Sequence, residues 1–395
     1  MDLARTPNLP EQGSAPAAAH LLAADDHAGA CVRLLTPHQS AAAQFATQWA
    51  RLSNAACEPN PFFEPWFLQP SLSQFAQDDQ CQLLCVFSGD DLIGLLPIER
   101  SGDYYGHPLP HLRTWLHPNA FCGAPMIAHG FELLFWETLL SWCDRHPARA
   151  LFLHLPLMPA NGPAHAALNT VLAQSERKSA LVAASMRAML ASDLSPDAYL
   201  EQAMSTKKRK ELRRQRKRLA DLGELVVERP SGSDRLEAWI ADYLALEAAG
   251  WKGAAGSALA NANETNRFFA SALTGAAHAG RLERLSLLLN SRPIAMLANF
   301  VTPPGAFSFK TTFDQEFARY SPGLLLQVEN LELLARSDVQ WADSCAVQGH
   351  SMIERIWREK RRIISSNIAI GGAARRLIFA GLSAYETRGQ GHKTP

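Results

Sequence analysis

Apolar and polar positions along the chain alternate between helical and strand periods. Residues 36–52 put Phe45, Trp49 and Leu52 on one side of a helix. An aromatic, proline-punctuated segment follows at 60–70, and 82–100 then gives two apolar runs split by Ser-Gly-Asp-Asp, the pattern of a β-hairpin. Residues 104–125 read as loop, 131–146 as an amphipathic helix and 150–157 as a buried strand.

A strand-like run at 181–190 leads into Ser195-Pro196, a helix cap followed by proline in the first turn. The helical pattern bends near Ser205, runs through Leu222 and stops at Gly223, a residue suited to a left-handed cap. A strand at 224–229 precedes a helix at 233–249 whose core face carries Leu236, Trp239, Ile240, Tyr243, Leu244 and Leu246. After a Gly/Ala-rich loop (250–260) and a helix (263–279), three strand runs at 282–290, 293–301 and 306–314 predict a meander. Ser321-Pro322-Gly323 opens a helix reaching 336, followed by a short strand near Trp341, a helix at 351–356, a strand at 362–370 and a polar tail. Helices flanking mostly antiparallel strands make a mixed α/β fold.

With 395 residues, two domains are expected, and 47% hydrophobic against 19% charged residues is composition for packed cores. The expected division is a flexible tail at 1–30, one domain at 31–185, a second at 186–380 and a polar tail at 381–395. Lys+Arg equals Asp+Glu at 38 each, so any electrostatic function must be local. The seven cysteines include no second Cys or His pair at ligand spacing, so we expect reduced thiols and no metal site. Acids interrupt the N-terminal segment and no run approaches a membrane span; a soluble cytoplasmic protein is expected, with peripheral membrane contact left open.

Residues 207–218 (KKRKELRRQRKR) hold nine Lys or Arg in twelve positions. One reading is a solvated helix face anchored by Leu212 and Leu219. Another is a surface for anionic lipid head groups or for the phosphates of a carrier. A nucleic-acid patch is not expected, because base-stacking aromatics and a basic domain are both missing.

The helix start at Tyr320-Ser321-Pro322-Gly323-Leu324 has anion-binding chemistry: free N–H groups, a capping hydroxyl at Ser321, a proline that loses no hydrogen bond, and a glycine permitting close approach. It directly follows the meander. Residues 310–323 (KTTFDQEFARYSPG) resemble the signature of the GNAT acyltransferase family associated with bacterial cellulose and exopolysaccharide biosynthesis. Residues 246–259 (LEAAGWKGAAGSAL) and the basic helix resemble two further stretches of that family. The resemblance covers roughly 60–370. It implies tandem GNAT folds related to the Fem aminoacyltransferases, with the C-terminal copy catalytic and the N-terminal one a scaffold or acceptor-side domain. Acetyl-CoA or another acyl-CoA, or an acyl carrier protein, is then the expected co-substrate, bound at Tyr320, Ser321, Pro322, Gly323 and Leu324.

Acyl transfer to an amine needs a proton acceptor and donors for the tetrahedral oxyanion, but no covalent nucleophile. No Gly-x-Ser-x-Gly elbow is present, and Cys345 reads as a small core residue. Glu247, Trp251 and Lys252 lie at a helix end that the resemblance places near the acceptor; alternatively Glu247 is a solvated helix residue and Trp251 a packing anchor. Lys310 and Asp314 flank one strand end, where they either pin the turn or face the site. The stretch from Trp341 to Ser351 resembles the family segment that carries an acid and a histidine. His350 is a candidate base, with Asp343 to orient it or to act alone. The site reading is therefore His350 or Glu247 as base, Lys310 and Asp343 in support, and Trp251, Lys252 and Asp314 toward the acceptor.

The expected activity is N-acyl transfer to an amine on a sugar, lipid or metabolite in polysaccharide, envelope or lipid biosynthesis. Contact with anionic membrane through 207–218 accompanies it. The alternatives are Fem-like transfer from aminoacyl-tRNA and a non-catalytic binding subunit of a polysaccharide-export system.

Overall fold

The structure, a computed structural model, describes residues 25–27, 29–76, 80–230 and 232–388. Its strands are β1 Asp25–His27, β2 Ala30–Leu35, β3 Cys81–Ser88, β4 Asp91–Ser101, β5 His111–Thr114, β6 Met126–Ile127, β7 Phe152–Pro159, β8 Ser179–Leu190, β9 Leu225–Glu228, β10 Leu282–Leu289, β11 Arg292–Thr302, β12 Gly305–Phe313, β13 Trp341–Asp343 and β14 Glu359–Ala369. All join one sheet in the order β1-β2-β3-β4-β5-β7-β14-β8-β13-β12-β11-β10-β9, with β6 paired to β4. Pairing is antiparallel except at β5–β7 and β12–β13.

The path is written twice. From β2, two helices (Ala43–Ala55 and Pro65–Phe75) lead to β3, β4 and β5, then helix Glu132–Arg145, β7, helix Pro163–Gln174 and β8. From β9, helices Leu236–Ala249 and Asn263–His278 lead to β10, β11 and β12, then helix Pro322–Glu329, β13, a 3-10 turn at Ile353–Arg355 and β14. The last strands are exchanged: β8 pairs with β13 of the second half, and β14 pairs with β7 of the first. Residue 186, the expected start of a second unit, lies inside β8.

The aromatic segment at 60–70 joins the halves. It forms a 3-10 turn (Pro61–Phe63) and helix Pro65–Phe75, whose Phe62 and Phe67 meet Phe307 and Phe268 at ring distances of 5.7 and 5.1 Å. A Cβ on Gly275 would sit 2.9 Å from the Trp66 Cβ, so the absent side chain lets helix Asn263–His278 approach this one closely.

Several predicted boundaries move. The helix expected at 36–52 is a short turn, Pro37–Ser40, and then Ala43–Ala55. The helix expected to 336 is α-helical only over Pro322–Glu329 and then tightens to 3-10 geometry. Residues 1–24, most of the expected tail, lie outside the described residues; 25–27 are β1, and Ala30 begins β2. Residues 381–388, expected in a polar tail, complete helix Ala373–Arg388, and 389–395 lie outside the described residues. No described helix is long and apolar enough to cross a membrane.

Candidate active site

β12 runs parallel to β13 from Gly305↔Trp341 to Phe307↔Asp343. There β13 ends, while β12 continues to Phe313. Beyond the last pair the two chains part, and a cavity of about 540 Å³ opens between them. One wall is β12 from Ser308 to Phe313; the other is the segment after β13, including Ser344 to Val347 and His350 to Ile353. The helix start at Ser321, Gly323 and Leu324 and the loop Gly250–Trp251–Lys252 complete it.

Lys310 is one of the cations that line the cavity, with Lys252 and Arg355. Its Nζ donates to the Asn119 Oδ1 at 2.7 Å and lies 5.5 Å from the ring centres of Phe121 and Phe309. Burial, reinforced by the Lys252 charge, pulls its pKa down to about 8. Glu247 also lines the cavity, but both carboxylate oxygens are engaged. Oε1 accepts from Lys252 Nζ at 2.7 Å and Oε2 from the Leu259 N–H at 2.8 Å. It is buried, not the solvated residue of the alternative reading. Trp251 is 61% exposed on the rim, so it is not a packing anchor.

His350 lies on the exposed rim, with Nδ1 accepting from the Ile353 N–H at 3.5 Å. The structure does not join Asp343 to it. Asp343 is 1% exposed, and its carboxylate takes Arg187 at 3.3 Å, Arg361 at 3.2 Å and the Cys345 N–H at 2.8 Å. Those arginines come from β8 and β14, so this acid ties the exchanged strands. Cys345 borders the cavity, and burial pushes its thiol well up, leaving it protonated.

Asp314 turns away from the cavity wall: it accepts from the Glu316 N–H at 3.0 Å and pairs with Arg292, pinning the 3-10 turn Gln315–Tyr320. Tyr320 stacks under Arg319 at 4.8 Å. Ser321 has φ 55°, and its side chain does not cap the helix; a capping hydroxyl needs an extended backbone, and here the Ser321 carbonyl accepts from Leu324 and Leu325 instead. Pro322 starts the helix as expected. A Cβ on Gly323 would lie 3.0 Å from Phe313 Cδ1 and 3.1 Å from Met352 Sδ, so the wall is already close-packed there.

Sequence reasoning missed Asn119 and Phe121. They lie in the stretch read only as loop, 191 residues from the lysine that Asn119 holds. The basic run does form a helix, Thr206–Ala220, which buries Leu212 and Leu219. It packs beside the turn Gln315–Tyr320, with Gln215 Nε2 donating to the Arg319 carbonyl at 3.4 Å and Arg216 paired to Glu329.

Most of the cavity lining, from Glu247 to His350, lies within residues 206–350, which match the acetyltransferase (GNAT) domain model; Ser351 to Ile353 and Arg355 lie beyond it. Over the whole chain, the fold is similar to that of several solved proteins. FemX superposes with a TM-score of 0.52 at 9% identity, covering 86% of this chain and 98% of its own. The C-terminal domain of a protein assigned as a lysylphosphatidylglycerol synthetase in Agrobacterium fabrum does so with a TM-score of 0.52 at 11% identity, covering 86% and 95%. A conserved protein of unknown function from Bacteroides thetaiotaomicron gives a TM-score of 0.52 at 10% identity, covering 83% and 97%. No curated protein matches the chain by sequence.

Proposed function

We propose that the protein is an N-acyltransferase that passes an acyl group from an acyl thioester, acyl-CoA or acyl carrier protein, to an amine. The observation that carries this reading is the cavity at the parting of β12 and β13 inside the GNAT segment, with a buried lysine on its wall and a helix start at its edge. The thioester enters between the strands, its phosphates lying toward the start of helix Pro322–Glu329, where backbone N–H groups and the helix dipole favour anions. As the amine attacks the thioester carbonyl, the Lys310 ammonium, lying beside the rings of Phe121 and Phe309, stabilises the oxyanion. The thiolate leaves, and the proton from the attacking amine passes to His350 on the rim, directly or through water. Glu247 holds the Trp251 loop through Lys252 and Leu259, and Trp251 offers its exposed face to the acceptor.

The acceptor class is an amine on a sugar, lipid or metabolite of the cell envelope. An acceptor at an anionic membrane fits the basic helix, and the likeness to a lysylphosphatidylglycerol synthetase domain gives that direction a structural parallel. The test is a thermal-shift panel with CoA, acetyl-CoA and a long-chain acyl-CoA, followed by thiol release in the presence of amines. A ligand at about 100 times its Kd adds about 2.7 kcal/mol of stability. Stabilisation by one thioester and acceptor-dependent thiol release support the reading. No response to any thioester, CoA-linked or carrier-linked, overturns it.

A further inference from the structure

The amino-terminal half reaches Lys310, a residue of the cavity wall in the other half, through the loop that follows β5. In the carboxy-terminal half the parallel pair β12–β13 opens into a cavity; in the amino-terminal half the equivalent pair is β5–β7. The segment after β5 crosses to β7, where the Gly123 N–H donates to the Leu157 carbonyl at 3.0 Å. On the way it presents Asn119 and Phe121 to Lys310.

The loop is held on several sides. His117 Nε2 meets Ser71 Oγ at 3.0 Å, its ring stacks on Phe75 at 4.7 Å, and Arg187 Nη1 donates to the Phe121 carbonyl at 2.8 Å. The loop that carries Asn119 is therefore placed by contacts that do not involve Lys310, and Asn119 is 8% exposed. Its amide oxygen is a neutral acceptor. A carboxylate in its place would lock the lysine as a permanent ion pair, and an apolar side chain would leave a buried ammonium unsatisfied.

We propose that Asn119 is a positioning residue that fixes the direction and protonation of the Lys310 amine, so that the working site is assembled from both halves of the chain. The role of the amine rests on the acyl-transfer reading above; its positioning by Asn119 does not. The charged and titratable groups around Lys310 are Lys252 and Glu247 from the helix end and loop, Cys345 from beyond β13, and His117 from the same loop as Asn119. Burial and the Lys310 charge push His117 down to about 3, so it stays neutral throughout the range of interest and adds no charge beside Lys310.

The experiment is competitive labelling of the full-length protein with acetic anhydride across pH 6–11, the Lys310 peptide being quantified by mass spectrometry. Wild type, Asn119→Ala and Asn119→Asp are compared, with circular dichroism confirming that each is folded. Asn119→Asp is expected to raise the labelling midpoint of Lys310 by about one unit or more, as an opposite charge at hydrogen-bond distance does. Asn119→Ala should lower it, because the ammonium loses its acceptor. Identical midpoints in the three folded proteins overturn the proposal, whether or not any donor is turned over. In parallel, if acyl transfer is detected, Asn119→Ala should lower kcat more than it raises KM and displace the pH profile in the direction of the labelling midpoint. A proportional loss of active protein with an unmoved profile marks a structural role only and also overturns it.

Discussion

Lys310 is held against its own solvation, and that has a measurable cost. A lysine whose folded pKa is depressed to about 8 disfavours the folded state wherever it must be charged in both states, and the penalty fades as pH rises toward the ordinary lysine value of 10.5. Lys310→Met should therefore raise the stability of the protein by up to about 3 kcal/mol below pH 8, less whatever is lost by leaving Asn119 unpaired. The advantage should shrink between pH 8 and 10.5. Chemical denaturation at pH 7 and pH 10 measures both ends, and a stabilisation that grows with pH contradicts the assignment. The same substitution should lower acyl transfer by about 10²-fold or more, as losing a preorganised oxyanion partner does. His350→Ala should cost a similar factor; a loss below about tenfold would remove His350 as the proton acceptor. Legibility at this scale depended on whether a contact is local. Lys310 and the helix start are close in sequence, so their proximity could be read. Asn119 could not be found, because nothing in a loop sequence announces a partner 191 residues away. Asp343 looks the same in sequence whether it faces a cavity or two arginines.

The helix Thr206–Ala220 shows how an element can be read correctly in form and remain open in purpose. Its break at Ser205 and its anchors Leu212 and Leu219 follow from pattern alone, whereas its end falls at Ala220 with Asp221 as the cap, short of the Leu222 and Gly223 that the pattern predicts. The structure adds its neighbour: the turn Gln315–Tyr320, against which Gln215 is bonded. Arg209, Arg214 and Arg216 are paired with Glu201, Glu211 and Glu329, and Lys207, Lys208 and Lys210 border an open groove together with the Glu211–Arg214 pair. If an anionic surface binds there, each lysine contributes about 1 kcal/mol, so reversing all three charges should weaken vesicle binding by at least about 10²-fold. Co-sedimentation with vesicles containing one-quarter phosphatidylglycerol, beside phosphatidylcholine alone, reads this out. Equal binding of wild type and the triple Lys→Glu variant would make the face a solvated one. The elements that pattern missed include helices Pro65–Phe75, Pro163–Gln174 and Ala373–Arg388 and the short strands β1, β5 and β6. The first contains Pro70, which normally argues against a helix, and its burial against the second half outweighs the local penalty. The meander β10–β11–β12 was legible because its turns and apolar runs are both local signals.

For the molecule as a whole, a repeated sequence of elements does not make two separable bodies. β8 leaves the first half to pair with β13, β14 returns to pair with β7, and the two run against each other along nearly their full length. A cut at residue 186 would divide β8, separate Arg187 from the first half, and expose the edges of two central strands. The lock on this exchange is the buried cluster of Asp343 with Arg187 and Arg361, where one carboxylate bridges two guanidinium groups from different strands. Removing one member of a buried pair costs about 3–5 kcal/mol, because the remaining charge stays desolvated. Asp343→Ala, which leaves two such charges, should fall at the upper end, and Arg187→Ala should cost somewhat less because Asp343 retains Arg361. Both losses should appear in one cooperative transition, with tryptophan fluorescence and far-ultraviolet circular dichroism coinciding, since the shared sheet leaves neither half able to unfold alone. A separate early transition in Asp343→Ala, or a fragment of residues 186–388 that folds by itself, would show instead that the halves are independent and that the crossing strands merely lie side by side.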